Sequence, residues 1–180
     1  KPYYESNDAI ATISKVTDNI VREVAPNVMC KYLPHAVDEE YQKLPDEVIQ
    51  DFKVQALEKI CDWKKENRVL FFWNNRNARR KMSGSVLWWF KEFLDEVGHD
   101  KARLLMHTDP KDAHGQDMIA IMERTGMDDG QILLSTEKIP PEQLARMYNI
   151  VDCTVNVSDA EGFGLATLES LSCATPIIVN

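Results

Sequence analysis

The chain has 180 residues, 44% of them hydrophobic and 28% charged, with 7 Gly and 8 Pro. That composition supports a buried core and excludes a disordered, collagenous or low-complexity polymer. Lys and Arg number 21 against 29 Asp and Glu, and the net charge of −8 opposes non-specific binding to nucleic acid or an anionic membrane.

In chain order, the β-branched run Asp8 to Ile13 predicts a first strand, and Ser14 caps a helix with Val16, Ile20, Val21 and Val24 on one face. Met29 to Leu33 reads as a second strand and Pro34 to Asp38 as a polar turn. A long amphipathic helix is expected from Pro45 to Glu66 through Val48, Phe52, Leu57 and Ile60, with Pro at the favoured first position.

From Arg68 the pattern becomes a regular alternation of strand and helix. Arg68 to Trp73 is a continuous apolar strand, and Ser83 opens a helix carrying Val86, Trp89, Phe90, Phe93 and Val97. Ala102 to His107, Ile132 to Leu134, Val151 to Val157 and Pro176 to Val179 follow as strands. Helices are expected between them over Gln116 to Thr125, from Pro141 with Leu144, Met147 and Tyr148, and over Gly164 to Cys173. Apolar strands separated by helices of this length predict an α/β fold, a Rossmann-like parallel sheet with helices on both faces. The last strand has no helix after it to cover it, so the chain is expected to be a fragment of a longer protein.

The four cysteines, Cys30, Cys61, Cys153 and Cys173, form neither a zinc pattern nor a Cys-x-x-Cys pair, and read as reduced residues of a cytoplasmic protein. No apolar run approaches the roughly 20 residues that cross a bilayer, and the start lacks a signal-peptide core.

Ligands of an open parallel sheet bind beyond the carboxyl ends of its strands, and two such junctions carry unusual residues. The first, Asn74-Asn75-Arg76-Asn77-Ala78-Arg79-Arg80-Lys81, places four cations in six residues of an acidic chain, suited to a diphosphate. The second runs from Ser158 to Glu169. Its Gly162 and Gly164 permit a tight turn, amides at the following helix start favour an anion, and the carboxylates Glu161 and Glu169 flank it. Gly162-x-Gly164-x-x-Thr167 half matches the dinucleotide fingerprint but follows the fourth strand of its unit rather than the first.

Glu161-Gly-Phe-Gly-Leu-Ala-Thr-Leu-Glu169 resembles the E-x7-E element of the retaining GT-B glycosyltransferases of the group 1, or family 4, type. Arg76 to Lys81 resembles their phosphate-binding Arg and Lys, and Tyr148-Asn149-Ile150-Val151-Asp152-Cys153 resembles the segment before their fourth strand. One departure is His35-Ala36, where many members have Asn-Gly. The resemblance implies that residues 1–38 end an N-terminal acceptor domain and cross over, and that residues 39–180 are the nucleotide-sugar-binding C-terminal domain, incomplete at its end.

The same resemblance implies roles. Arg76 and Lys81 neutralise the departing diphosphate, and Glu161 binds hydroxyls of the donor sugar. Glu169 takes the ribose hydroxyls, and the backbone around Gly162, Phe163, Gly164 and Leu165 contacts phosphate or sugar. These are the catalytic (Glu161, Arg76, Lys81) and donor-binding expectations. The implied partners are a nucleotide sugar as donor substrate and an acceptor that is glycan, lipid or protein, with no other cofactor and no nucleic acid.

A metal-dependent transferase would need Asp-x-Asp, which the chain lacks, so no metal is expected; His107 and His114 read as structural. A nucleotide-sugar epimerase and a non-catalytic nucleotide-sugar-binding module are the rival readings. Base recognition is expected near Thr136 to Ile139, where no side chain selects one base.

Overall fold

The computed structural model describes residues 2–52 and 68–180, which fall into two compact units: Lys1–Val37 with Glu161–Leu165, and Asp38–Ala160 with Ala166–Asn180. The second half of the expected long helix, with Leu57 and Ile60, lies outside the described residues, as does Cys61.

The first unit begins with one helical turn, α1 (Pro2–Glu5), followed by β1 (Ala9–Thr12), α2 (Lys15–Val24) and β2 (Met29–Tyr32). β1 and β2 pair in parallel from Ala9↔Met29 to Thr12↔Tyr32, with α2 as the crossover. The Ser14 side chain caps α2 by accepting from the Thr17 amide, as its place in the sequence predicts. The expected apolar stripe of α2 is only partly covered. Val21 is fully buried, whereas Val16 and Ile20 are 70% and 45% exposed, since two strands are too narrow to cover the whole helix face.

The second unit contains a helical stretch α3 (46–52 as described), β3 (Val69–Asn74), a 3-10 turn at Arg79–Lys81 and α4 (Ser83–Val97). It continues with β4 (Ala102–His107), α5 (Met118–Thr125), β5 (Ile132–Ser135), α6 (Pro141–Ile150), β6 (Cys153–Asn156), α7 (Leu165–Ser172) and β7 (Ile177–Val179). Five strands form one sheet in the order β5-β4-β3-β6-β7, each pair parallel. Side chains alternate across a strand, so each face gathers its own core. Trp73, Leu104 and Met106 pack with Leu87, Phe90 and Leu94 of α4 and Met118 and Met122 of α5. Leu70, Phe72 and Leu105 pack on the other face with Ala145, Met147 and Tyr148 of α6, with Ile49 of α3, and with Cys173 just after α7. The α/β fold with helices on both faces of a parallel sheet is thus the one the alternation predicts.

The phase of α4 differs from the sequence reading. Trp89, Phe93 and Val97 are 45%, 38% and 43% exposed, and Leu87 and Leu94 take the core positions. Five consecutive apolar residues, Val86 to Phe90, span more than one turn, so periodicity alone does not set the buried face. Cys30, Cys153 and Cys173 are free thiols. No helix among the described residues is long and apolar enough to cross a membrane.

Candidate functional site

From β3 the chain adds β4 and β5 on one side, then returns to place β6 and β7 on the other. The order reverses between β3 and β6, the crevice where open parallel sheets bind ligands. The junctions after these two strands are the ones singled out by composition.

Glu169 lies on α7, half-buried. Tyr148 donates from its hydroxyl to Glu169 Oε2 at 2.7 Å, and Asn74, the last residue of β3, donates its Nδ2 to the same oxygen at 3.4 Å. Asn74 also donates to the Tyr148 hydroxyl at 3.0 Å. Among the described residues, Oε1 receives no hydrogen bond. Burial raises the Glu169 carboxyl pKa above its ordinary range, against the lowering effect of the two donors, while burial beside Glu169 pushes the Tyr148 hydroxyl well up. One oxygen is held and the other left to accept, which suits a ligand bearing hydroxyl donors.

A polar chain links the carboxyl ends of both strands to α7. Buried Asn75 donates to Asn156 Oδ1 at 3.1 Å, and Asn156 donates to Thr167 Oγ1 at 2.6 Å. Amides at these positions satisfy one another across the sheet and fix the start of α7 relative to β3.

The cationic loop after β3 is similarly tied down. Asn77 is fully buried: its Nδ2 donates to the carbonyls of Pro110 and Gln116, and its Oδ1 accepts from Ser83 Oγ and the Gln116 amide. The loop's other bonds reach both neighbouring junctions. The Arg79 amide donates to the His114 carbonyl, Arg80 donates to the Ala160 carbonyl at 2.7 Å, and the Asp159 amide donates to the Arg80 carbonyl. Met82 takes a left-handed conformation at φ 53° so that α4 can start immediately after the turn.

Of the predicted cations, Arg76 is exposed and ion-paired. Its Nε and Nη2 reach the two oxygens of Asp112 at 2.7 and 3.2 Å, and Nη2 lies 2.9 Å from His114 Nδ1. Lys81 is buried in the turn, and Arg79 and Arg80 are exposed. His107 bonds Ser135 through its Nδ1 at 2.9 Å and is held below the usual histidine pKa by burial. No group of three metal-ligating side chains occurs among the described residues.

Glu161, Gly162, Phe163, Gly164 and Leu165 belong to the first unit. There the Phe163 ring meets His35 edge-on at 5.1 Å, the Gly162 backbone approaches the Ile13 side chain, and Gly164 has φ 84°, where glycine is favoured. Within the second unit, Glu169 bonds Asn74 at the end of β3, and Arg76 and Lys81 lie on the loop that follows that strand.

Sequence reasoning did not single out Tyr148 and Asn74 as the partners of Glu169, or Asp112 and His114 as those of Arg76. It did quote the segment containing Tyr148, Asn149 and Asp152. Asn149 holds the chain at Gln42 and Leu44, and Asp152 accepts from the Leu70 amide of β3 at 2.8 Å.

The stretch that supplies Tyr148, Asn156, Thr167 and Glu169 lies within residues 116–180. Those residues match the family of glycosyl transferases group 1. A curated relative, the D-inositol 3-phosphate glycosyltransferase of Segniliparus rotundus, is 34% identical over 61 residues, 34% of this chain and 13% of its own. Among solved structures, the sucrose-phosphate synthase of Thermosynechococcus elongatus superposes with TM-score 0.75 at 18% identity, over 99% of this chain and 42% of its own. Anabaena HepE in complex with UDP-glucose superposes with TM-score 0.66 at 12% identity, over 96% of this chain and 44% of its own. WaaG, a glycosyltransferase involved in lipopolysaccharide biosynthesis, has TM-score 0.72 at 12% identity, over 94% of this chain and 43% of its own. The fold is thus that of GT-B glycosyltransferases, and the chain spans less than half the length of these proteins.

Proposed function

We propose that this chain carries the donor-binding part of a glycosyltransferase, which binds a nucleotide-diphosphate sugar at the carboxyl ends of β3 and β6 and, in the complete protein, transfers the sugar to an acceptor with retention of configuration. The observation that carries this reading is Glu169, a half-buried carboxylate held through one oxygen at the strand-order reversal, with its other oxygen open to a diol. The family match to residues 116–180 and the UDP-glucose complex of a protein with the same fold support it.

In this reading Glu169 accepts from both ribose hydroxyls, and Arg76 and Lys81 face the diphosphate. As the sugar leaves, negative charge grows on the nucleoside diphosphate, and cations fixed beforehand stabilise that charge without reorganising. The electrostatic work falls to these side chains, so the transfer is expected to proceed without a divalent ion. The sequence resemblance assigns Glu161 to the sugar hydroxyls and the backbone of Gly162 to Leu165 to the phosphate or sugar. The free thiols of Cys30, Cys153 and Cys173 favour a cytoplasmic setting.

A thermal-shift panel of UDP, ADP and GDP with their glucose conjugates tests the reading. A ligand that binds only the folded state raises the melting temperature with its concentration. At least one diphosphate must do so, and Glu169→Gln must reduce that shift. Six flat titrations would overturn the proposal.

A further inference from the structure

We propose that Asp112, with His114, is a positioning residue for Arg76: it grips one edge of the guanidinium and leaves the opposite nitrogen to meet the diphosphate of a bound nucleotide. This rests on the donor-site reading above and adds to it a pair of residues from a different loop.

The geometry divides the five N–H donors of an arginine. The Nε donor goes to Asp112 Oδ2, and Nη2 donates to Asp112 Oδ1 and lies 2.9 Å from His114 Nδ1, which is itself 3.2 Å from Asp112 Oδ1. Both donors of Nη1 remain without a partner among the described residues. A bidentate grip of this kind fixes the plane of the guanidinium as well as its position.

The grip is also asymmetric. The Asp112 side chain is 14% exposed and that of Arg76 63%, so the carboxylate is the fixed partner. Its own loop explains why: Asp112 Oδ1 accepts from the His114 amide at 2.8 Å, the Gly115 amide donates to the Asp112 carbonyl, and Gln116 bonds the buried Asn77. Asn77 follows Arg76 directly, so the same hub anchors both sides of the ion pair. The hydrogen bond from Arg76, followed by that from the His114 amide, holds the Asp112 carboxyl well below the usual range, so it is charged at neutral pH.

A bare carboxylate close to a diphosphate repels it, and removing the charge of Asp112 would then tighten binding. The positioning role requires the opposite. Without Asp112 an exposed arginine samples many rotamers and must be ordered when the nucleotide binds, a cost that corresponds to about a two- to tenfold loss of affinity.

The test is a double-mutant cycle on the 180-residue chain, read by calorimetric titration with the tightest-binding of UDP, ADP and GDP. Asp112→Asn keeps the turn, because its Oδ1 still accepts from the His114 amide. It is expected to weaken binding about two- to tenfold in the wild-type background and to have no effect beside Arg76→Ala. His114→Ala should act in the same direction and by less, and melting temperatures verify that each variant is folded. Equal losses from Asp112→Asn in both backgrounds would overturn the positioning role while leaving the donor site intact, as would tighter binding. An Arg76→Ala variant that binds as the wild type does would remove Arg76 from the site and the proposal with it, whereas binding of none of the three nucleotides would overturn the donor-site reading itself.

Discussion

Glu169 is a carboxyl whose burial works against its charge, and that conflict makes its role measurable. The folded chain binds this proton more tightly than the unfolded one, whose ordinary value is 4.5. Its contribution to stability is therefore complete below that value and is lost as pH rises through the raised folded value. Ligand binding runs the other way, because a diol needs the ionised acceptor. Nucleotide affinity should rise across the same interval, and Glu169→Gln should flatten that rise in calorimetric titrations. The cations give a second expectation at this scale. Arg76→Ala and Lys81→Ala should each weaken nucleoside diphosphate binding by about 1.5 to 3 kcal/mol, the usual worth of a hydrogen bond to a charged group. Arg79 is not one of the two cations assigned to the diphosphate, and Arg79→Ala should cost clearly less in the same titrations. Equal small losses at all three would make the loop a solvated charge run.

Among the elements, the loop after β3 depends on one buried amide. Asn77→Ala would leave the Ser83 hydroxyl and the Gln116 backbone without partners, and should destabilise the fold by about 1 to 3 kcal/mol in urea unfolding. Gly115→Ala should also destabilise it, since a Cβ there runs into the Asn77 carbonyl and side chain. An unchanged unfolding midpoint in both variants would show that the hub does not hold the loop. This is also where the sequence ceased to be legible. Ser14 could be recognised as a cap, and the parallel strands as apolar runs, because those signals are local. The phase of α4 was not legible, since Val86 to Phe90 is apolar around most of the helix and only the sheet selects Leu87 over Trp89. Arg76, Lys81 and Glu169 stood out as charges at strand ends. Asp112 and Tyr148 did not, because each becomes meaningful only when the fold brings it to a residue 36 or 21 positions away.

For the whole molecule, the strand order β5-β4-β3-β6-β7 matters most, because it makes β3 and β6 neighbours in the sheet although 78 residues of chain lie between the last residue of β3, Asn74, and the first of β6, Cys153. That order brings the cationic loop and the carboxylate of α7 to one edge, which no local pattern could establish. The expectation that follows is a nucleotide whose ribose is read by Glu169. The most direct measurement takes whichever of UDP, ADP and GDP binds tightest and compares it with its 2′,3′-dideoxy analogue by calorimetry on the wild-type chain and on Glu169→Gln. A diol bound by Glu169 requires the wild type to prefer the nucleotide with the intact diol and the variant to bind both nearly alike. If the variant instead keeps the full preference of the wild type, the ribose is bound elsewhere and the proposed site is contradicted.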